Sequence, residues 1–131
     1  MIQLRRIDEG LNPIREGYIA AQQLLSSKMP FTALMAFNDL SAIGAINAFR
    51  EAGKRIPEDI SVVGFDDIKV ATVFQPSLTT VQQPLTEMGT MAAQEILASI
   101  ENSTLDSRSI VVPPQLIVRQ SSGPPPHRVP S

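Results

Sequence analysis

The sequence predicts a parallel, doubly wound α/β domain with helices on both faces of its sheet. Three observations predict it. Runs of strand length stand at Thr32–Phe37, Ile60–Phe65 and Leu78–Val81, the first two mostly apolar. Stretches with helical spacing of apolar residues separate or follow them. The resulting strand–helix–strand–helix–strand rhythm carries no sequence repeat, and right-handed crossovers place the helices over the sheet. A chain of 131 residues that is 43% hydrophobic and 18% charged has ordinary globular composition, enough for one domain with a core.

Each element has a local reason. Ile2–Leu4 can be a short entering strand. Asn12-Pro13 is a helix start, with an Asn cap and Pro at the first helical position. Ile14, Tyr18, Ala21 and Leu25 continue that helix until Lys28-Met29-Pro30 ends it. Thr32–Phe37 is continuously apolar, as suits a parallel strand covered on both faces. Asn38-Asp39 stops it, and either residue can cap the next helix; Asp39 reads mainly as a cap. That helix runs to about Ala52, where Gly53 supplies a C-terminal signal.

Ile60–Phe65 is the second buried strand, ended by Asp66-Asp67, and Val70–Phe74 is a single helical turn. After the third strand, Pro84 opens a long helix with Leu85, Met88, Ala92, Ile96 and Ile100 on a stripe. Ser109–Val112 and Gln115–Arg119 read as two short strands split by Pro113-Pro114. Residues 121–131 are Pro-rich and read as a disordered tail.

Ligands of such sheets collect at the C-terminal ends of the strands. Three polar clusters fall there: Asn38-Asp39, Asp66-Asp67 and Gln82-Gln83. A carboxylate accepts from neighbouring hydroxyls and an amide both donates and accepts, which together suit a neutral polyol such as a sugar. Capping explains Asn38 or Asp66 equally well when each is taken singly. Three clusters after three successive strands favour a site.

Other chemistry finds less support. No cysteine is present, which removes disulfides and thiolate ligands, and no imidazole joins the acidic clusters to make a metal site. His127 stands in the Pro-rich tail, and no Gly-rich phosphate loop or Gly-x-Ser-x-Gly turn occurs, so no catalytic residues, metal or cofactor are expected. A net charge of −2 without a basic patch makes the chain by itself a poor nucleic-acid binder. Met1 is followed by Ile-Gln-Leu-Arg-Arg, which lacks the apolar core of a signal peptide. No apolar run is long enough to span a bilayer, so no membrane partner is expected, and the absence of cysteine fits the reducing cytoplasm expected as the location. The helix carrying Leu40, Ile43, Ile46 and Phe49 is apolar almost all round, which suggests contact with a second chain as well as with its own sheet, the alternative being burial under another element of the same chain.

The order and spacing of these motifs resemble one family from about Gly17 to Gln120. Phe37-Asn38-Asp39-Leu40-Ser41-Ala42-Ile43-Gly44 is similar to the "FNDxxAIG" element of LacI-type transcription regulators. Val62-Val63-Gly64-Phe65-Asp66-Asp67-Ile68 resembles their "VVGFDDI", with the lead-in Ile56-Pro57-Glu58-Asp59-Ile60-Ser61. Leu78-Thr79-Thr80-Val81-Gln82-Gln83-Pro84 resembles "LTTVxQP", and Met88-Gly89 matches the helix after it.

The resemblance implies one lobe of a periplasmic-binding-protein-like fold, with an effector held between two lobes. It implies effector contacts at Asn38, Asp66 and Gln83. Where the family often places a stacking aromatic, this chain has Asn12, which implies a more polar contact. By the same resemblance residues 1–120 form a partial effector domain, in which roughly Leu85–Val112 belongs to a lobe otherwise absent. A homodimer is implied, with Ile43, Asn47 and Phe74 as interface candidates. Operator DNA would be reached only through a DNA-binding domain that this sequence lacks. Two competing readings are a fragment of a periplasmic sugar-binding protein and an enzyme working with carboxylates alone.

Overall fold

A computed structural model describes residues 12–102 and 109–126. The entering strand expected at Ile2–Leu4, and residues 127–131 of the expected tail, lie outside the described residues. The chain is mixed α/β: α1 (Pro13–Ser26), β1 (Ala33–Met35), α2 (Asp39–Glu51), β2 (Ser61–Phe65), α3 (Lys69–Val73), β3 (Thr79–Gln82), α4 (Leu85–Asn102) and β4 (Gln115–Ile117). The sheet order is β1-β2-β3-β4. The first three strands are parallel, and β4 runs antiparallel to β3.

The helix ends form as the local sequence requires. The Asn12 carboxamide oxygen accepts from the Ile14 N–H at 3.0 Å, with Pro13 in the first turn. The Asn38 oxygen accepts from the Ser41 N–H at 2.8 Å. At the end of α2, Gly53 holds φ 76° while Lys54 N–H donates to the Phe49 carbonyl, a left-handed close that favours glycine. Arg55 and Asp59 then fasten the α2–β2 connection through a two-pronged side-chain contact. Hydrogen bonds from the Arg55 side chain and backbone hold the Asp59 carboxyl down at about 2.

The core lies between the helices and one sheet face. Ala21 and Leu24 of α1, Ile46 and Phe49 of α2, and Val62 and Leu78 of the sheet form it. Phe31 stacks obliquely on Phe49, ring centroids 5.7 Å apart. Alternation along β2 separates the faces: Val62 and Gly64 are buried, while Ser61, Val63 and Phe65 are half-buried.

The almost wholly apolar α2 has a reason inside the chain. It is packed between β2 and α1, and it meets α1 so closely that side chains are excluded at the crossing. A Cβ on Gly17 would fall 2.0 Å from the Ser41 carbonyl oxygen, and one on Gly44 would fall 1.9 Å from that of Ile14. The two-sided packing buries Ile43 to 5% exposure, so the helix's composition does not by itself require a second chain.

Four expectations need correction. First, the β1 segment is not covered on both faces, since Met35 is largely open and Phe37 is 88% exposed. Second, Ser109–Val112 forms no strand, because Pro113-Pro114 offers no N–H and only Gln115–Ile117 finds a partner. Third, Asp39 is not the cap of α2; Asn38 is, and Asp39 lies fully buried beneath the β2–α3 turn.

Fourth, the segment expected to be disordered from residue 121 starts as part of the fold. The Ser121 hydroxyl donates to the Val62 carbonyl at 2.6 Å and accepts from Thr79 N–H at 2.8 Å. Its backbone bonds Val62 and Ser77, and Gly123 N–H donates to the Ser61 hydroxyl. Ser121 thus fills the gap where β2 and β3 have not yet paired. Backbone groups left open there must be satisfied, and a serine does so at little volume.

Candidate functional site

Parallel strands β1, β2 and β3 bring three chain turns to one end of the sheet, each starting where the ladder stops. In the β2–β3 register Phe65 stands opposite Val81. The doublet Asp66-Asp67 therefore emerges beside the doublet Gln82-Gln83. Each acidic residue takes one amide: Gln83 Nε2 donates to Asp66 Oδ1 at 2.9 Å, and Gln82 Nε2 donates to Asp67 Oδ2 at 2.7 Å.

The turn holding the two aspartates is unusual. Asp66 has φ 110° and Asp67 φ 53°; aspartate tolerates the second, whereas the first is an angle that a residue with a Cβ adopts only when its surroundings demand it. Those surroundings are on hand. Asp66 N–H donates to the Val81 carbonyl at 2.9 Å. Ile68 N–H donates to Asp39 Oδ2 at 2.9 Å, and the Thr80 hydroxyl donates to Asp39 Oδ1. Asp39 has room because β2 carries glycine beneath it: a Cβ on Gly64 would meet Asp39 Oδ1 at 2.2 Å.

Of the four residues named from sequence as effector contacts, the structure joins Asp66 and Gln83 directly. Asn38 stands at the head of α2 one residue before Asp39, which bonds the same turn. Its oxygen is committed to the cap, so its NH2 group is the part left to meet a ligand. Asn12 is exposed and its oxygen caps α1; no hydrogen bond among the described residues ties it to the other three. Asp66 keeps one carboxylate oxygen outside its bond with Gln83. This end of the sheet therefore offers an acceptor, a carboxamide and an amide donor at half-buried positions, a set suited to hydroxyl-bearing ligands.

Sequence reasoning missed Asp39, Thr80 and Arg119 as supports of this turn. The first two lie inside the family-like motifs, where local sequence signals only a cap and a strand. Arg119 NH2 stands 2.7 Å from Asp67 Oδ1, yet no reading of one strand signals a partner 52 positions away. The exposed Phe37, directly before Asn38, was read as core.

The interface candidates are placed unevenly. Ile43 is almost wholly buried within the chain, Asn47 is half-buried, and Phe74 packs against the core. On the same short α3, Val73 is 73% exposed. Among the described residues no helix is long and apolar enough to cross a membrane.

Comparison with known proteins gives the family and the fold. Residues 3–122 match the periplasmic binding protein-like domain. The repressor PurR of Edwardsiella ictaluri is 43% identical over 105 residues, covering 80% of this chain and 31% of its own length. A LacI family regulator from Enterococcus faecalis, solved with bound ribose, is 36% identical with a TM-score of 0.76, covering 85% of this chain and 41% of that one. The lac repressor dimer bound to operator and the anti-inducer ONPF is 30% identical with a TM-score of 0.75, over 82% and 37%. The chain spans about a third of the length of the curated relatives it matches. It belongs to the periplasmic binding protein-like domain family, in the form carried by LacI-type transcription regulators.

Proposed function

We propose that this chain is the effector-sensing part of a LacI-type repressor, and that it binds a sugar or similar small polar molecule at the end of its parallel strands. The observation that carries this reading is the Asp66–Gln83 pair, held half-buried on a strained turn beside the head of α2. Asp66 accepts from ligand hydroxyls, Gln83 steadies it, and Asn38 and Asn12 donate from their free NH2 groups. Ribose in the similar Enterococcus faecalis regulator supports the ligand class.

In the parent protein the occupied site would shift a lobe arrangement and so alter operator affinity, a linkage between two sites. DNA contact itself would come from sequence outside this chain, in a cytoplasmic regulator. The residues from about Leu85 to Val112 would belong to a second lobe. Support for that comes from α4, whose Leu85, Ile96, Leu97 and Ile100 are all exposed. A thermal-shift screen of neutral sugars, ribose first, tests the reading on the full-length protein. A ligand at a hundred times its Kd is expected to add about 2.7 kcal/mol of stability. No shift with any sugar would contradict the ligand class.

The parent is also read as a homodimer, as in the operator-bound lac repressor. The α3 segment suits the subunit surface because Val73 is open while Phe74 anchors the segment to the core. Burial of an apolar side chain contributes roughly 1.5–3 kcal/mol. Val73→Asp should therefore raise the dimer dissociation constant by at least about tenfold. Phe74→Asp would damage the fold as well, which makes Val73 the cleaner probe. Light scattering checks both states: a monomeric wild type at high concentration would contradict the dimer.

A further inference from the structure

The Asp66-Asp67 turn is more heavily anchored than a ligand contact alone requires, and the anchors converge on Asp67. Its side chain is 10% exposed and that of its ion-pair partner Arg119 is 16% exposed. Arg119 NH2 lies 2.7 Å from Asp67 Oδ1, a charge contact not aligned as a hydrogen bond, while Arg119 NH1 donates to the Leu78 carbonyl at 2.9 Å. Gln82 takes the other Asp67 oxygen, and Asp67 N–H reaches the Thr80 hydroxyl at 3.4 Å.

The partners lie at a telling place in the topology. Gln82 ends β3 and stands opposite Gln115, which begins β4. The chain leaves the sheet for α4 after Gln82 and returns at Gln115, at the same end. Arg119 lies two residues past β4, with its N–H on the Thr79 hydroxyl at the start of β3, so one carboxylate ties the turn that aims Asp66 to both ends of β3.

We propose that Asp67 is the positioning residue of the site, and that its clasp with Arg119 and Gln82 fixes the turn from both ends of β3 and so sets the aim of Asp66. This rests on reading Asp66 as an effector contact. A ligand that draws on Asp66 then meets a turn already held in place by β3. Arg119 contributes no ligand contact of its own.

Hydrogen exchange on the full-length protein tests the clasp without any ligand. In Arg119→Met and Asp67→Asn, the Asp67 and Ile68 amides should exchange about tenfold faster, as loss of about one hydrogen bond's stabilisation implies. Val62 and Val63 should stay within about twofold, because global unfolding is not the route. Arg119→Lys, which keeps a point charge near Asp67, should restore part of the protection. Unchanged turn protection in both variants, or loss spread evenly along β2 and β3, would overturn the proposal. Ribose calorimetry on the same proteins adds the second arm, with about tenfold weaker binding expected in Asp67→Asn. A wild type that ignores ribose would count against the ribose reading alone, and the exchange result would still decide the clasp.

Discussion

Replacing Gly44 with alanine is expected to cost more than about 3 kcal/mol of folding stability, because the new methyl meets backbone that has nowhere to go. The Ile14 carbonyl oxygen would lie 1.9 Å from the added Cβ, with the Tyr18 nitrogen at 2.9 Å. Only separation of α1 from α2 relieves this, and that opens the layer holding Ala21, Leu24 and Ile46. Gly89→Ala is the matched control. Gly89 lies within α4 and a Cβ there meets nothing within 4 Å, so alanine should gain up to about 1 kcal/mol from helix propensity. Urea unfolding of the two variants against the wild type measures both. A Gly44→Ala protein within about 1 kcal/mol of wild type would show that the helix crossing is looser than described.

The second large effect is expected at Asp39. It is fully buried and accepts from Ile68 N–H and the Thr80 hydroxyl. Asp39→Ala strands both donors. Hydrogen bonds to a charged group contribute about 1.5–3 kcal/mol each, offset in part because the variant no longer buries a carboxylate. A net loss of roughly 2–4 kcal/mol follows. Asp39→Asn should lose less than about 1.5 kcal/mol, since the carboxamide oxygen can still serve Ile68 while its NH2 serves Thr80. Equal losses in the two variants would mean that the charge, and not the hydrogen-bond pattern, holds the turn.

Much of this architecture could be read from local signals, and the misses share a cause. Asn12-Pro13, Gly53 and the runs before Asn38 and Asp66 act within a turn of themselves, so their outcomes were legible. The features that were misread depend on distant chain. The apolar circumference of α2 leaves a second chain and another element of the same chain both open as its cover, because the sequence does not reveal that Gly17 and Gly44 let α1 lie directly on it. Ser121 has Pro-rich neighbours that signal a disordered tail. Its hydroxyl instead closes the open start of the β2–β3 ladder 42 and 59 residues away along the chain. The antiparallel direction of β4 follows from an excursion through α4 that leaves and returns at one sheet end, which strand periodicity does not report.

The site divides in the same way. Asp66 and Gln83 were named from their place after successive strands, and they are hydrogen-bonded. Asp39 was given the capping role that belongs to Asn38, because an Asn-Asp pair before a helix does not show which residue turns inward. Burial decides it: Asp39 sits in the space that Gly64 leaves open.

The central claim is that Asp66 is held on its strained turn to bind an effector and not merely to close a strand. Isothermal calorimetry of the full-length protein and its Asp66→Ala variant, titrated with the best sugar from the thermal-shift screen, tests it most directly. Loss of a hydrogen bond to a charged group should weaken binding by about 1.5–3 kcal/mol. Unfolding midpoints should change little, because alanine leaves the Asp66 N–H bond to Val81 in place. Unchanged affinity together with a large loss of stability would contradict the account and make Asp66 a structural residue of the β2–α3 turn.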